Sequence, residues 1–477
     1  MAANVDQGQV RKRNLALRAA LYIGAALIGF VALVLLINLY DPDLDSDAAA
    51  AMNAAPSLAP DKENSYFVLY GLGVAEGQDP HAHGVRFVTA NNAWMRSVEA
   101  GKPMDRSDVE AMAKQSETIK WRGVTKDLCG EQRDDCLSAY VRNRAQIDKL
   151  ARDNRVRLAR YRSLYRYKNF SETSLNRIHL NWLPNYAGAE HEAVIAQIAL
   201  KAADGDVQGA LRDLTNDTEY WRRVLAGAST LISKSLASNF LSRNYALASQ
   251  IVARHRDRPG VMAHLAGMLK PLTSEDKDYK KAFSGEFQWG AYMYATLRKQ
   301  QSEYGFFTSE SHFWDRAASS MLYKPNATIN LQYQWVVRMQ ALADAPAHLL
   351  PETVQQIDGE FGKFTNPFRV DMVYNPVGKI LVAIGASSPQ SQARYISRVH
   401  NLDGYMRLLR MQLDIYVKKV PVKDIGSYLE KSPADLFDPY RNQPFRWDPD
   451  KRELWFEGIN PKGENKVTTN QRIGVRI

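Results

Sequence analysis

The chain has 477 residues, a formal net charge of +10, 45% hydrophobic residues and 24% charged residues. That length can bury a large core and hold more than one domain. With 23 Tyr and 9 Trp, the part outside any membrane should fold well, which excludes a disordered chain.

Residues 1–18 read as a short basic stub on the cytoplasmic side, with Arg11, Lys12, Arg13 and Arg18 against Asp6. Residues 19–40 follow, from Ala19 to Tyr40, apolar except for Asn38 and the amphipathic Tyr22 and Tyr40. The run is long enough to cross a hydrocarbon core of about 30 Å as one helix. Asp41, Asp43, Asp45 and Asp47 come next. Retention of Arg and Lys on the cytoplasmic face predicts that everything after Tyr40 lies across a bacterial inner membrane, in the periplasm. A cleaved signal has an apolar stretch of about 7–15 residues with a small-residue site close behind, so an uncleaved anchor in membrane lipid is expected. Ala20 and Gly24 are four apart, as are Ala25 and Gly29, a spacing that lets helices approach closely and would support a homo-oligomer. Ordinary composition for a membrane helix explains it equally.

Residues 41–62, rich in Ala, Asp and Pro, predict a flexible linker. Residues 63–375 predict a helical domain. Asp79-Pro80 would open a helix from about His81 to Glu99. Cys129 and Cys136 are the only cysteines, and an oxidising compartment favours a local disulfide over a metal site. Ile147, Leu150, Leu158, Tyr161 and Tyr165 fall on one face of a long helix. Its segment 142–168 holds ten Arg or Lys, against Asp148 and Asp153. Arg152, Arg155, Arg157, Arg160, Arg162 and Arg166 would make a basic patch for anionic lipid or polymer, or the solvated face of an amphipathic helix. No nucleic acid is expected in that compartment. Asp204-Gly205-Asp206 marks a tight break between two helices. Such hairpins are of the tetratricopeptide kind but irregular, with no strict period of about 34 residues. Further helices are expected near 217–256, 259–270, 284–302, 309–322 and 328–343.

Residues 376–477 predict an α+β tail. One helix runs from about Gln390 to Val420, with Leu402, Met406, Leu409, Leu413 and Tyr416 aligned, and Pro421 ends it. Phe445-Arg446-Trp447 and Leu454-Trp455-Phe456 alternate about Asp448-Pro449-Asp450-Lys451, a β-hairpin signal. The long helix, Asp438-Pro439, Pro444-Phe445-Arg446-Trp447, Phe456, Gly458, Pro461 and Gly463 resemble the C-terminal end of type II secretion major pseudopilins. Nothing before Ala19 matches their Gly-Phe-Thr-x-x-Glu processing motif, so the resemblance implies only a helix-plus-hairpin subdomain. As a whole the chain resembles large single-span envelope proteins of Gram-negative bacteria without assigned activity.

Motifs for chemistry are sparse. Gly359 to Thr365 has phosphate-loop letters at the wrong spacing, and Ser274-x-x-Lys277 lacks its partner motifs. His81 and His83 read as solvated helix-start residues, and Glu190-His191-Glu192 as a charged helix face. Glu310, His312 and Asp315 form the best acid/base candidate, because aromatic surroundings would raise a carboxylate as a general acid requires. The Glu-Ser pair resembles lytic transglycosylases without their Gly-Leu-Met-Gln signature. A Ser309 cap with Glu310 in the first helical turn explains the same residues. The expectation is therefore a mainly α, membrane-anchored periplasmic scaffold or interaction module with an envelope protein partner and no metal or cofactor. A wall-acting hydrolase using Glu310 is the alternative.

Overall fold

The computed structural model describes residues 3–54, 61–100, 107–125, 128–129, 135–175, 184–300, 321–366, 369–385, 388–460 and 469–477. It is mainly helical, 72% helix, with a small three-stranded antiparallel sheet near the C-terminus. The first helices are α1 (Ala3–Ile37), α2 (Ser46–Asn53), α3 (Tyr66–Gly71), α4 (Pro80–Glu99), α5 (Ser107–Gln115), α6 (Cys136–Arg142), α7 (Arg144–Asp153) and α8 (Arg155–Ser163). Next come α9 (Gly188–Ala203), α10 (Val207–Gly227), α11 (Leu231–His255), α12 (Val261–Met268), α13 (Ser274–Lys277) and α14 (Lys280–Gln300). The last are α15 (Pro325–Asp344), α16 (Leu350–Thr365), α17 (Pro376–Gly385), α18 (Pro389–Val417) and α19 (Ile425–Glu430), then β1 (Arg446–Asp448), β2 (Glu453–Ile459) and β3 (Thr469–Arg476). Two compact units share them. One holds Met1–Met52, Gly290–Trp335 and Phe361–Ser387; the other holds Asn53–Trp289, Val336–Glu360 and Ser388–Ile477.

In the first unit, Leu15–Ile37 is long and apolar enough to cross a membrane, with mean hydropathy 2.7 and nothing buried against protein. The helix stops at Ile37, three residues short of the expected Tyr40: Asn38 N still donates to Val34 O (3.1 Å), but Leu39 N turns back to Leu36 O (3.2 Å). The Asn38 side chain is 1% exposed. Its amide donates to Val34 O (2.8 Å) and Val373 O (2.6 Å), and its oxygen accepts from Asn375 N (2.7 Å). Asn375 adopts a left-handed backbone, φ 48°, which Asn tolerates better than most side chains. Its buried amide oxygen accepts from Lys324 N and Gly378 N, and its nitrogen donates to Thr328 Oγ1. Only glycine fits at 378, where a Cβ would lie 2.0 Å from Thr328 Oγ1.

The stretch read as a flexible linker begins ordered. Asp41 accepts from Asn326 N and Ala327 N, so a carboxylate far away in sequence caps the start of α15. Asn330 grips the Asp43 carbonyl and the Asp45 amide. α2 follows, with Ala48 and Met52 buried. Four acids that set topology in the sequence thus include one that holds a helix end.

In the second unit, α9 and α10 form the expected hairpin. Gly205 takes φ 98° at the turn, and Asp206 caps α10 through Gly209 N (2.9 Å). α11 packs on α10, and α18 packs on α11. The structure supports hairpins; no repeat array follows from it. The helix drawn through Ile147 and Tyr165 is broken, a correction: buried Asn154 separates α7 from α8, its amide bonding Leu150 O and Arg122 O. The predicted strand hairpin is present, in register Arg446↔Trp455, and β3 extends it in the order β1-β2-β3. Leu454 and Phe456, both 0% exposed, face inward. Gly404 lets α18 approach that sheet, since a Cβ there would lie 2.6 Å from the Phe456 ring. Cys129 and Cys136 are bonded, with Cα atoms 4.8 Å apart.

Asn375→Ala removes these side-chain bonds and places alanine at positive φ, which should cost the first unit about 2–4 kcal/mol. Asn375→Gly relieves the backbone and should cost about half as much. Limited proteolysis of the full-length protein in detergent, followed at residues 369–385, checks this order.

Candidate functional site

The charged residues of α9 are not a solvated face, a correction to the sequence reading. Glu190, His191 and Glu192 are 1%, 0% and 9% exposed. A charge out of water must be paired and hydrogen-bonded, and each of these has its own distant partner. Arg157 Nε donates to Glu190 Oε1 (2.6 Å). Glu192 accepts from Tyr140 OH (3.1 Å) and pairs with Arg243. His191 Nε2 lies 3.1 Å from Asn244 Oδ1 and 3.4 Å from Asp217 Oδ2. Asp217 also accepts from Tyr161 OH (2.5 Å), Tyr165 OH (2.9 Å) and Asn244 Nδ2 (2.7 Å), and Trp221 Nε1 donates to Tyr161 OH (2.8 Å). Burial opposes ionisation of Asp217, but His191 and these hydrogen bonds outweigh it and hold the carboxyl below the ordinary aspartate range. The same burial, reinforced by Asp217, pushes Tyr161 and Tyr165 well up. His191 is wedged between Phe240 and Trp221. This His-Asp pair is a core network, enclosed by its own partners.

Nor do the six arginines form one patch. Arg157 and Arg160 are 4% and 9% exposed. Arg160 donates to the carbonyls of Leu72, Val74, Ala75 and Gln78, tying α8 to the loop after α3. Arg155 pairs with Glu76, Arg162 donates to Gln197, and Arg166 lies over the Tyr167 ring. Arg152 is exposed. His83 is also buried, bonding Ser116 Oγ (2.8 Å), and burial lowers its pKa. His81 stacks on Tyr167. Among the described residues no group of three or more His, Cys, Asp or Glu is placed to hold a metal ion. Glu310, His312 and Asp315 lie outside the described residues.

The site sequence reasoning missed is a cleft of about 1000 Å³ bounded by α11, α18 and β3, with Asp135 at its rim. Small polar side chains of α11, Ser238, Asn239 and Ser242, form one wall. Cations dominate: Arg254, Arg398, Lys451, Arg472 and Arg476 line it, against Asp135 and Glu453. The two acids are already engaged, Asp135 by Arg254 (2.6 Å) and Glu453 by Arg472 (2.5 Å). Arg398 and Arg476 make no ion pair among the described residues. Arg398 rests over the Tyr395 ring, 5.4 Å from its centroid, and its Nε is buried without a hydrogen-bond partner. Gln471 Oε1, also in the lining, is a second orphan.

The remaining wall is a strand edge. Residues 471–476 line the cleft consecutively, as an edge does; a sheet face would present alternate residues. Among the described residues β3 has β2 as its one neighbour in the sheet. Ile477 N donates to Arg452 O (2.8 Å), so the odd-numbered residues near this end face β2. By alternation Arg472, Gly474 and Arg476 turn their backbone groups away from β2. On that side Gln412 Nε2 already reaches Arg476 O (2.7 Å). No protein-family model, curated protein or solved structure matches this chain.

A folded aspartate pKa below the unfolded value gives stability that is present above about pH 4 and lost as pH falls toward the folded pKa. Asp217→Asn should therefore lower the urea midpoint at pH 7, by about 3–5 kcal/mol of stability, and flatten its decline between pH 5 and pH 3. Urea titrations of both proteins across that range check it.

Proposed function

We propose that the chain is a membrane-anchored interaction module that holds an acidic, extended segment of a partner protein in the basic cleft. The observation that carries this reading is a strand edge beside Arg398 and Arg476, with no further strand on it and no carboxylate paired to either cation among the described residues. A strand added to β3 would meet the outward amides of Arg472 and Gly474 through backbone hydrogen bonds, which give affinity without demanding one sequence. Its acidic side chains would face Arg398 and Arg476, which sets orientation and raises the association rate. Arg398 Nε and Gln471 Oε1 would gain the partners they lack.

The location follows the N-terminal helix. Arg11, Lys12, Arg13 and Arg18 before Leu15–Ile37, and Asp41 to Asp47 after it, favour an N-terminus in the cytoplasm and a periplasmic bulk. The Cys129–Cys136 bond suits that oxidising side. The partner would then be an envelope protein, and Ala20, Gly24, Ala25 and Gly29 would allow the anchor to self-associate.

A seven-residue peptide of alternating Glu and Val, fluorescently labelled, should bind the full-length protein, and binding should weaken as salt rises. Arg398→Glu with Arg476→Glu should raise its Kd at least about tenfold, a change of about 1.4 kcal/mol. A Lys-for-Glu peptide, or one N-methylated at alternate amides, should bind poorly. Equal binding of all three peptides contradicts the reading.

A further inference from the structure

We infer that α17, together with Val370, lies in the headgroup region of the bilayer that α1 crosses. Beyond Tyr40, and among the described residues, this segment carries the most exposed apolar side chains of the first unit: Val370 is 88% exposed, Ile380 49% and Ile384 75%. Ile380 and Ile384 are one helical turn apart and share a face. Gly378 and Val382, also a turn apart, share the opposite face and are buried. The helix is thus amphipathic in an unusual sense, with apolar residues both inside and out. Its one charge is withdrawn from the exposed face: Lys379 is 15% exposed at its side chain, bonding the Asp371 carbonyl and pairing with its carboxylate (3.3 Å). An apolar, charge-free face of this kind is costly in water.

The occupant follows from what the segment is bolted to. Val373 O and Asn375 N both bond the side chain of Asn38, the first residue past the end of α1. α17 starts at Pro376, one residue later. If α1 spans the bilayer, as proposed above, these bonds hold α17 at the level where the chain leaves the hydrocarbon. Leu39 and Tyr40, 69% and 68% exposed, sit at that level, and Tyr374 OH reaches the Tyr40 carbonyl (3.4 Å). Tyrosines with one apolar and one wet end mark that boundary. A helix held there with isoleucines outward has the chemistry of an interfacial element. The lipid surface continues the interface α1 already makes.

The test uses the full-length protein in phosphatidylcholine nanodiscs, with single cysteines Ile28→Cys and Ile384→Cys each labelled with an environment-sensitive fluorophore, the native cystine being closed. Doxyl-labelled lipid is the quencher. Position 28 should be quenched by deep doxyl groups and position 384 by shallow ones. Quenching at 28 without quenching at 384, whether the label at 384 reports water or a protein cover, overturns the lipid seat alone. Absence of quenching at 28 as well overturns the spanning reading and the seat together. Ile384→Ser with Ile380→Ser, probed at Val370→Cys, gives the second reading: shallow quenching there should fall at least about twofold, and an unchanged value contradicts the inference.

Discussion

The carboxamide of Asn38 is the constraint on which the first unit depends. It sits at the end of a long apolar helix and is almost wholly buried, where an unpaired amide would cost several kcal/mol. It escapes that cost by bonding Val34 in its own helix together with Val373 and Asn375, more than three hundred residues further along. Those bonds end α1 and place Asn375, whose side chain in turn fixes the start of α15 through Lys324 and the start of α17 through Gly378. Asp41 completes the joint at the same helix start. The long apolar helix therefore leads straight into folded structure.

The second unit rests on a different device, a core whose charges are satisfied pairwise. Such pairs add little net stability but make any other arrangement costly, since breaking one strands a buried charge. Arg157, Tyr161 and Tyr165 reach Glu190 and Asp217 from the α8 region, while Arg243 and Asn244 reach Glu192 and Asp217 from α11. α11 is thereby fixed in rotation, and that fixes its other face as a wall of the cleft. Ser249 Oγ then bonds Gln412 Oε1, and Gln412 Nε2 bonds Arg476 O, linking α11 through α18 to β3. The walls of the cleft are held by the same helices that bury the charges.

Local chemistry made much of this legible in the sequence. The apolar N-terminal helix, the Asp204-Gly205-Asp206 turn, the long helix from Pro389 (which stops at Val417, short of the expected Val420), the strand hairpin and the cystine each depend on neighbours within a few residues. What escaped depends on distance. Glu190-His191-Glu192 looked solvated because Arg157, Asp217 and Arg243 lie in other helices. Asn154 breaks a helix by bonding Arg122, which no periodicity reveals. β3 alternates only over Arg472-Ile473-Gly474-Val475-Arg476, and the glycine at its centre weakens the strand signal. The cleft was invisible because α11, α18 and β3 each contribute only part of it. The linker expected over 41–62 misled in its first part, 41–53, because its acids were read for their charge alone, while Asp41 also serves as a helix cap.

Amide hydrogen exchange on the full-length protein in a bilayer tests the joint most directly. Residues 41–53, 373–379 and the amides of Asn326 and Ala327 should exchange at least about 100-fold more slowly than an unstructured chain, since the opening that exposes them must break the Asn38 and Asp41 bonds together. Exchange at the unstructured rate across those segments, with α9 to α11 still protected, would contradict an apolar helix locked to folded structure and restore a free tether in its place.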